Sequence, residues 1–269
     1  MPGVDVLVVV DACQGRFTNA ELAAFLADGA VVLVTGSKFY QGPPFSGALL
    51  IPPALTAALA ATTNGEGAPA AARLPPMFGE YFCAADMPAE LGAWRAQLPQ
   101  QPNAGSAARW LGALAEMEAY HAAGTAASRA EAAERWTEDV VSLVGAAQDG
   151  AAEVFEANGS IVNVAVRRGG AGGDLLRVPE LKLLHRWLTL DLSEALAGAE
   201  GASTPVFIGQ PVEIADAFGI VRIALGAPDV RALLDCREEV MAVDEAVIAK
   251  INLVGRNFDL LRAHFDFDA

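Results

Sequence analysis

"VVVDACQGRF" (residues 8–17) and "LVTGSKFYQGPPFSGALL" (residues 33–50) each contain a short apolar run that borders a cluster of polar residues. Runs of this length that are rich in β-branched residues are typical of strands buried in a parallel sheet. The polar side chains at these borders can bind ligands or transfer protons: Asp11 and Gln14 after the first run, and Thr35, Ser37 and Lys38 at the end of the second. The sequence thus places an acid and an amine at the ends of two neighbouring strands.

The segment that contains both runs predicts a βαβ unit. It consists of a strand buried on both faces, a capped helix, a second buried strand and a further strand behind a Gly-Pro-Pro turn. These elements are Val4–Val10, Asn19–Ala27 with Thr18 as the cap, Val31–Thr35 and Gly47–Ile51. Such crossovers are right-handed in almost all cases and leave the two strands parallel. We therefore expect Asp11 and Lys38 at one sheet edge, where open α/β sheets bind ligands.

The remainder of the chain predicts a second domain. Residues 53–102 are rich in Ala, Pro and Gly, and the low-complexity stretch Asn64–Ala72 is expected to be a mobile loop. Alanine-rich helices are predicted at Ala107–Tyr120 and Ala126–Val144, interrupted near Gly124, and would connect the two domains. The segments beyond Gly150 that predict strands or helices are "SIVNVAV" (160–166), "PVFIGQPVEI" (205–214), "GIVRIAL" (219–225), Pro228–Ile251 and Asn257–Phe265. The expected division is a large domain over residues 1–124 and a small α+β domain with its linking helix over 125–269.

The amino-acid composition indicates which kinds of partner are disfavoured and in which cellular compartment the protein is expected. The 269 residues are 53% hydrophobic, enough for a sizeable core, and the formal net charge is −15. That charge disfavours nucleic acid and anionic membrane surfaces as partners, and the apolar runs are too short to cross a bilayer. Three scattered cysteines and three scattered histidines predict neither a disulfide framework nor a metal site. We expect a cytoplasmic protein.

A lysine and a carboxylate in one crevice suit pyridoxal phosphate. The lysine forms a Schiff base with the cofactor, while the carboxylate keeps the pyridine nitrogen protonated so that the ring can accept electrons. A free lysine is a poor nucleophile because it is protonated, and desolvation corrects this by lowering its pKa. Burial of Lys38 at the strand end is expected to supply that desolvation.

Three short motifs carry a resemblance to a known family. "DACQ", "TGSKF" with its lysine 27 positions after the aspartate, and "GPPFSGALL" resemble the fold-type I pyridoxal-phosphate enzymes, in the class V aminotransferase and cysteine desulfurase branch. The resemblance implies a three-layer α/β large domain, incomplete at its amino end, and a small α+β domain. By this resemblance, Asp11 pairs with the ring nitrogen of the cofactor and Gln14 hydrogen-bonds its phenolic oxygen. Thr35 binds its phosphate, and Lys38 forms the Schiff base. Ser37 stands where many members have histidine, and it could still bind the phosphate.

A fourth motif lies far along the chain. "GIVRIALGAPDV" (219–230) resembles a small-domain strand whose arginine pairs with the substrate's α-carboxylate, a role that falls to Arg222. A guanidinium fork grips a carboxylate through two parallel hydrogen bonds. Residues 191–221 contain no cysteine, which disfavours persulfide chemistry because that needs a thiolate acceptor. The implied reaction is transamination of an amino acid or similar amine, with elimination by a lyase as the alternative.

The chain also departs from the family. Members carry a long segment ahead of the D-x-x-Q strand, so we expect either that this chain is a fragment or that another polypeptide completes the site. A non-catalytic remnant that serves as a binding or dimerisation subunit stays open as an alternative, and the resemblance implies a homodimer. Taken singly, Asp11 could be an ordinary turn residue and Lys38 a solvated loop lysine. The acidic segment 237–245 is interpreted as a solvated helix face.

Overall fold

The computed structural model describes residues 6–63, 73–147, 150–214 and 218–265 as a mixed α/β protein with one three-stranded and one four-stranded sheet. The chain divides into two compact units, unit 1 over residues 1–119 and unit 2 over residues 120–269. The loop expected at Asn64–Ala72 lies outside the described residues. The three-layer arrangement stays a prediction.

Unit 1 is built on a small sheet with the strand order β1-β2-β3. Its elements are β1 (Val9–Asp11), α1 (Asn19–Ala27), β2 (Val31–Thr35), β3 (Gly47–Leu50), α2 (Pro53–Thr63), α3 (Phe78–Tyr81), a 3-10 helix (Ala84–Asp86), α4 (Gly92–Arg95) and most of α5 (Ala104–Ala122). β1 pairs in parallel with β2, with Asp11 opposite Leu33, and β3 pairs antiparallel on the other side of β2. The predicted strand, helix and parallel strand are therefore confirmed.

The start of α1 shows why the helix begins at Asn19. Thr18 accepts a hydrogen bond from the Glu21 backbone N–H at 3.2 Å, and the Glu21 carboxylate accepts one from the Thr18 backbone N–H at 2.7 Å. This reciprocal capping box satisfies two N–H groups that otherwise lack partners in the first turn. The predicted N-cap is confirmed.

The predicted burial of the first strand is wrong. The strand was predicted to begin at Val4, but residues 4 and 5 lie outside the described residues and the regular strand begins at Val9. Val8 and Val9 are 56% and 53% exposed. Helix α1 is largely apolar, yet none of its residues is buried. Strands of a parallel sheet are normally covered on both faces, whereas Val8 and Val9 remain exposed among the described residues.

Unit 2 is an antiparallel sheet with the strand order β4-β5-β7-β6, and helices pack against it. Its elements are α6 (Ala126–Ala146), β4 (Ala152–Asn158), β5 (Ile161–Val166), α7 (Val178–Leu188), β6 (Gly209–Ile214), β7 (Phe218–Ala224), α8 (Ala227–Asp235), α9 (Arg237–Arg256) and α10 (Phe258–His264). The three strands predicted after Gly150 are confirmed. The single helix predicted at Pro228–Ile251 is wrong, because Cys236 takes the non-helical angles φ −148° and ψ 82° and separates α8 from α9.

A buried lysine stabilises the loop that follows α7. Lys250 on α9 is 1% exposed, and its ammonium group donates hydrogen bonds to the carbonyls of Leu190, Gly201 and Ala202. Desolvation lowers the pKa of Lys250, while the nearby charge of Asp191 opposes that shift. All three ammonium hydrogens have acceptors, as a buried cation requires.

A buried carboxyl joins α6 to α9. Asp244 accepts a hydrogen bond from the indole N–H of Trp136 at 2.7 Å, and both side chains are buried. Burial raises the pKa of Asp244 to about 6, the Trp136 hydrogen bond opposes that shift, and the charge of Asp229 adds to it. The interpretation of segment 237–245 as a solvated face is therefore wrong at Asp244.

We predict that Asp244 makes stability depend on pH. The folded state holds this proton more tightly than the unfolded state, so acidification through about pH 6 stabilises the fold. Asp244→Asn keeps an oxygen acceptor for Trp136 but does not titrate. Between about pH 8 and about pH 5, the free energy of unfolding should rise by about 1 kcal/mol less in this variant than in the natural chain.

Chemical denaturation at several pH values measures this difference. Glu245→Gln is the matched control, because Glu245 is the exposed neighbour on the same helix. The interpretation fails if Asp244→Asn and Glu245→Gln change the pH dependence equally.

Candidate functional site

Asp11 is the last residue of β1, and its carboxylate is exposed at the strand end. The backbone N–H of Cys13 donates a hydrogen bond to its Oδ1 at 3.0 Å. Hydrogen bonds from the backbone and the side chain of Cys13 lower the pKa of Asp11, and the positive charge of Lys38 lowers it further. Asp11 is therefore held as an anion at neutral pH.

Lys38 lies in the loop after β2, close enough for its charge to act on Asp11. The parallel pairing of β1 and β2 thus brings these two side chains to one sheet edge, as the sequence predicts. The expected burial of Lys38 is wrong, because its side chain is exposed. Its amine is therefore open to a ligand.

Hydroxyl groups surround the backbone just before Lys38. The Thr35 and Ser37 hydroxyl oxygens lie 2.8 Å apart, and the Ser37 backbone N–H donates to the Thr35 hydroxyl at 3.2 Å. Thr35 also donates to the Ser46 carbonyl at 3.0 Å. These bonds fix the two hydroxyls that the resemblance assigns to a phosphate, in the segment of chain that leads to Lys38.

Two glycines fix the base of this loop against α5. A Cβ at Gly42 would lie 2.9 Å from the Cβ of Ala113 and 2.8 Å from the Gly36 carbonyl oxygen, and a Cβ at Gly36 would overlap the Cβ of Ala113. The Gly42 backbone N–H also donates to the Gly36 carbonyl at 2.9 Å. A close backbone approach of this kind explains why glycine is needed at both positions.

Gln14 is exposed in the turn that follows β1, on the loop that also carries Asp11 and Cys13. The Gly15 backbone N–H closes this turn by donating to the Ala12 carbonyl at 3.0 Å. The side chain of Gln14 thus lies on the same loop as the carboxylate, as its assigned role requires.

Arg222 belongs to unit 2 and lies near the middle of β7. Its cross-strand neighbours are Asn163 on β5 and Gly209 on β6, and its side chain is half-buried. Within the described ranges of the chain, its guanidinium makes no hydrogen bond or ion pair. A Cβ at Gly209 would lie 3.2 Å from the Cβ and 3.7 Å from Nε of Arg222, so the arginine side chain packs over this glycine.

Three residues of this edge were missed by the sequence reasoning. Cys13 was assigned no role although it hydrogen-bonds Asp11, and Gly15 and Phe39 contact each other between the two loops. A glycine directly after a strand-end polar cluster is a recognisable turn signal, so Gly15 could have been found. Phe39 ends the "TGSKF" motif, which assigns it no role.

Comparison with known proteins gives no match: no family model, no curated protein and no solved structure is similar to this chain. Among residues 6–63, 73–147, 150–214 and 218–265, no group of three or more His, Cys, Asp or Glu side chains could hold a metal ion. Over those same residues, no helix has both the length and the apolar character to cross a membrane.

We predict that Asp11 controls the reactivity of Cys13. Desolvation raises the pKa of the Cys13 thiol, and the hydrogen bond and negative charge of Asp11 raise it further. Asp11→Asn removes that charge, so more thiolate forms at a given pH and alkylation of Cys13 should become severalfold faster. The rate is measured with iodoacetamide and peptide mass spectrometry.

Asp28→Asn makes the same chemical change at the exposed end of α1 and should leave the rate unaltered. Equal alkylation rates in the Asp11 variant and the natural chain would mean that the two side chains do not interact in solution.

Proposed function

We propose that this protein is a cytoplasmic, pyridoxal-phosphate-dependent enzyme of fold type I, with a three-layer large domain, and that it acts on an amino acid or similar amine by transamination. The observation that supports the proposal is the placement of Asp11 and Lys38 at the ends of adjacent parallel strands, with their charges interacting. This is the location where open α/β sheets bind ligands. Elimination by a lyase is the alternative reaction.

The side chains present fit the cofactor. Its aldehyde needs a primary amine, its ring nitrogen needs a carboxylate, and its phosphate needs hydroxyl or N–H donors. Lys38, Asp11 and the hydroxyl pair of Thr35 and Ser37 supply these groups at one edge of one sheet. When bound, the cofactor would supply an electron sink for a carbanion next to the substrate nitrogen.

The residues of this edge have separate tasks in the proposal. Lys38 would hold the cofactor through its amine, and that amine, when free, would move a proton to and from the substrate α-carbon. Asp11 stays anionic because Cys13 hydrogen-bonds it, and so it can keep a proton on the ring nitrogen. Gln14 orients the ring through its phenolic oxygen, and Thr35 and Ser37 bind the phosphate.

Arg222 defines the substrate class in the proposal. Among the described residues the half-buried guanidinium of Arg222 makes no hydrogen bond or ion pair, and such a guanidinium can bind a carboxylate through two parallel hydrogen bonds. Substrates that carry both an amine and a carboxylate are therefore proposed. The resemblance further suggests a homodimer.

We predict that cofactor binding depends on the amine of Lys38. With saturating pyridoxal phosphate, the purified protein should develop the visible absorbance band of a lysine-bound cofactor. Borohydride reduction should then leave the cofactor mass on the peptide that contains Lys38. Lys38→Arg should lose both signals, because a guanidinium keeps the charge but cannot react as an amine.

Lys182→Arg is the matched control, since Lys182 is an exposed lysine on α7 of unit 2. It should keep the band and the label. The proposal is wrong if the natural chain shows no band that depends on Lys38 at saturating cofactor.

A second candidate function is a non-catalytic binding or dimerisation subunit. Among the described residues, twelve of the sixteen exposed large apolar side chains belong to unit 1, and within unit 1 Phe45 and Val6 are the most exposed at 84% and 76%. Exposed apolar surface of this kind marks association sites. In a chain of net charge −15, an uncharged stretch such as Val6–Val9 lets two copies approach with less charge repulsion than an acidic surface would.

This candidate predicts self-association through the start of the sheet. In sedimentation equilibrium, the Val8→Lys variant should be more monomeric than the natural chain, because the substitution puts a charged side chain into an apolar contact between two copies. Val243→Lys places the same charge at an exposed position of α9 and should not change the association. A monomeric natural chain, or equal effects of both variants, would exclude this surface as the dimer contact.

A further inference from the structure

Two loops meet at the sheet edge that carries Asp11 and Lys38. The first loop comprises residues 12–17 after β1, and the second loop comprises residues 36–46 after β2. Gly15 forms the centre of their contact: its φ is +69°, and a Cβ there would lie 3.0 Å from the Cβ of Phe39 and 3.4 Å from Cε2 of Tyr40. The first loop therefore rests on the second through bare backbone.

Aromatic packing completes this contact. Phe39 is 7% exposed, and the guanidinium carbon of Arg16 lies 5.2 Å from the centre of its ring. Tyr40 packs edge-on against Phe39 with the ring centres 5.2 Å apart. The cation over this buried ring and the burial of the ring itself both stabilise the contact between the loops.

The position of Phe39 in the sequence gives this packing a consequence for the site. Phe39 directly follows Lys38, so its buried ring fixes the backbone from which the exposed Lys38 amine extends. Gly15 lies four residues after Asp11, in a turn that hydrogen-bonds back to Ala12. The contact between the loops therefore connects the backbone of the acid to the backbone of the amine.

We propose that Gly15 and Phe39 are positioning residues, which hold the first loop on the second and so set the spacing between the Asp11 carboxylate and the Lys38 amine. Neither residue takes part in proton transfer. The inference depends on the proposed function only where cofactor binding is concerned, since the spacing itself is a property of the free chain.

The first test needs no cofactor. In the natural chain, Lys38→Met should raise the pKa of Asp11, measured by NMR titration of its carboxyl carbon, because the variant removes a nearby positive charge. In a chain that also carries Gly15→Ala, Lys38→Met should raise the pKa of Asp11 by less than about half of the rise in the natural chain. Separation of the loops weakens the interaction between the two charges. Gly29→Ala is the matched control: its φ is +84°, so the backbone strain is the same, but no atom lies within 4 Å of the added Cβ.

The second test measures the cofactor. Gly15→Ala should raise the dissociation constant of pyridoxal phosphate at least about tenfold, equivalent to about 1.4 kcal/mol, and Gly29→Ala should leave it unaltered. The two tests separate two failures. If no chain binds the cofactor but Gly15→Ala still weakens the effect of Lys38 on Asp11, the proposed function fails and the positioning role stands.

A second variant guards against misfolding. Phe39→Leu keeps the buried volume approximately but removes the ring beneath Arg16, and it should weaken the effect of Lys38 on the Asp11 pKa in the same way. Phe25→Leu, at an exposed phenylalanine of α1, should not. An undiminished effect of Lys38 on Asp11 in both Gly15→Ala and Phe39→Leu would overturn the proposal.

Discussion

The parallel pairing of β1 with β2 is the constraint on which the candidate site depends. Val10 lies opposite Val32 and Asp11 opposite Leu33, so both strands end at the same edge of the sheet. An antiparallel pair would place the two strand ends at opposite edges and separate the acid from the amine. The crossover through α1, started by the capping box at Thr18, makes the parallel arrangement possible.

The two units treat ionisable groups in different ways. In unit 2, Lys250 and Asp244 are buried and partnered by three carbonyls and an indole, so their role is to hold elements together. In unit 1, Asp11 and Lys38 are exposed, and the charge of Lys38 contributes to the lowered pKa of Asp11. Exposed charges have only a small desolvation penalty, but they interact weakly with each other because water screens them. Full reactivity of Lys38 therefore requires that a ligand or another surface exclude water from this edge.

Local sequence patterns predicted the strands and helices but not which of their side chains are buried. The β-branched run at Val31–Thr35 and the capping residue Thr18 each act through near neighbours in the chain, and both were confirmed. β4 was missed because its acidic residues, among them Glu153 and Glu156, obscure the apolar alternation. The exposure of Val8 and of Lys38 could not be predicted, since apolar periodicity indicates a need for burial and not the surface that provides it. The Cys13 bond to Asp11 depends on turn geometry that residue types leave open.

The close contact of Gly36 and Gly42 with Ala113 has an evolutionary consequence. Three positions, the last of them about seventy residues beyond the other two, form a single steric unit in which each is already as small as the contact permits. A larger side chain at any one of them would displace helix α5 or the hydroxyl-bearing backbone of Thr35 and Ser37. Selection should therefore act on the three positions jointly and keep a small residue at each of them.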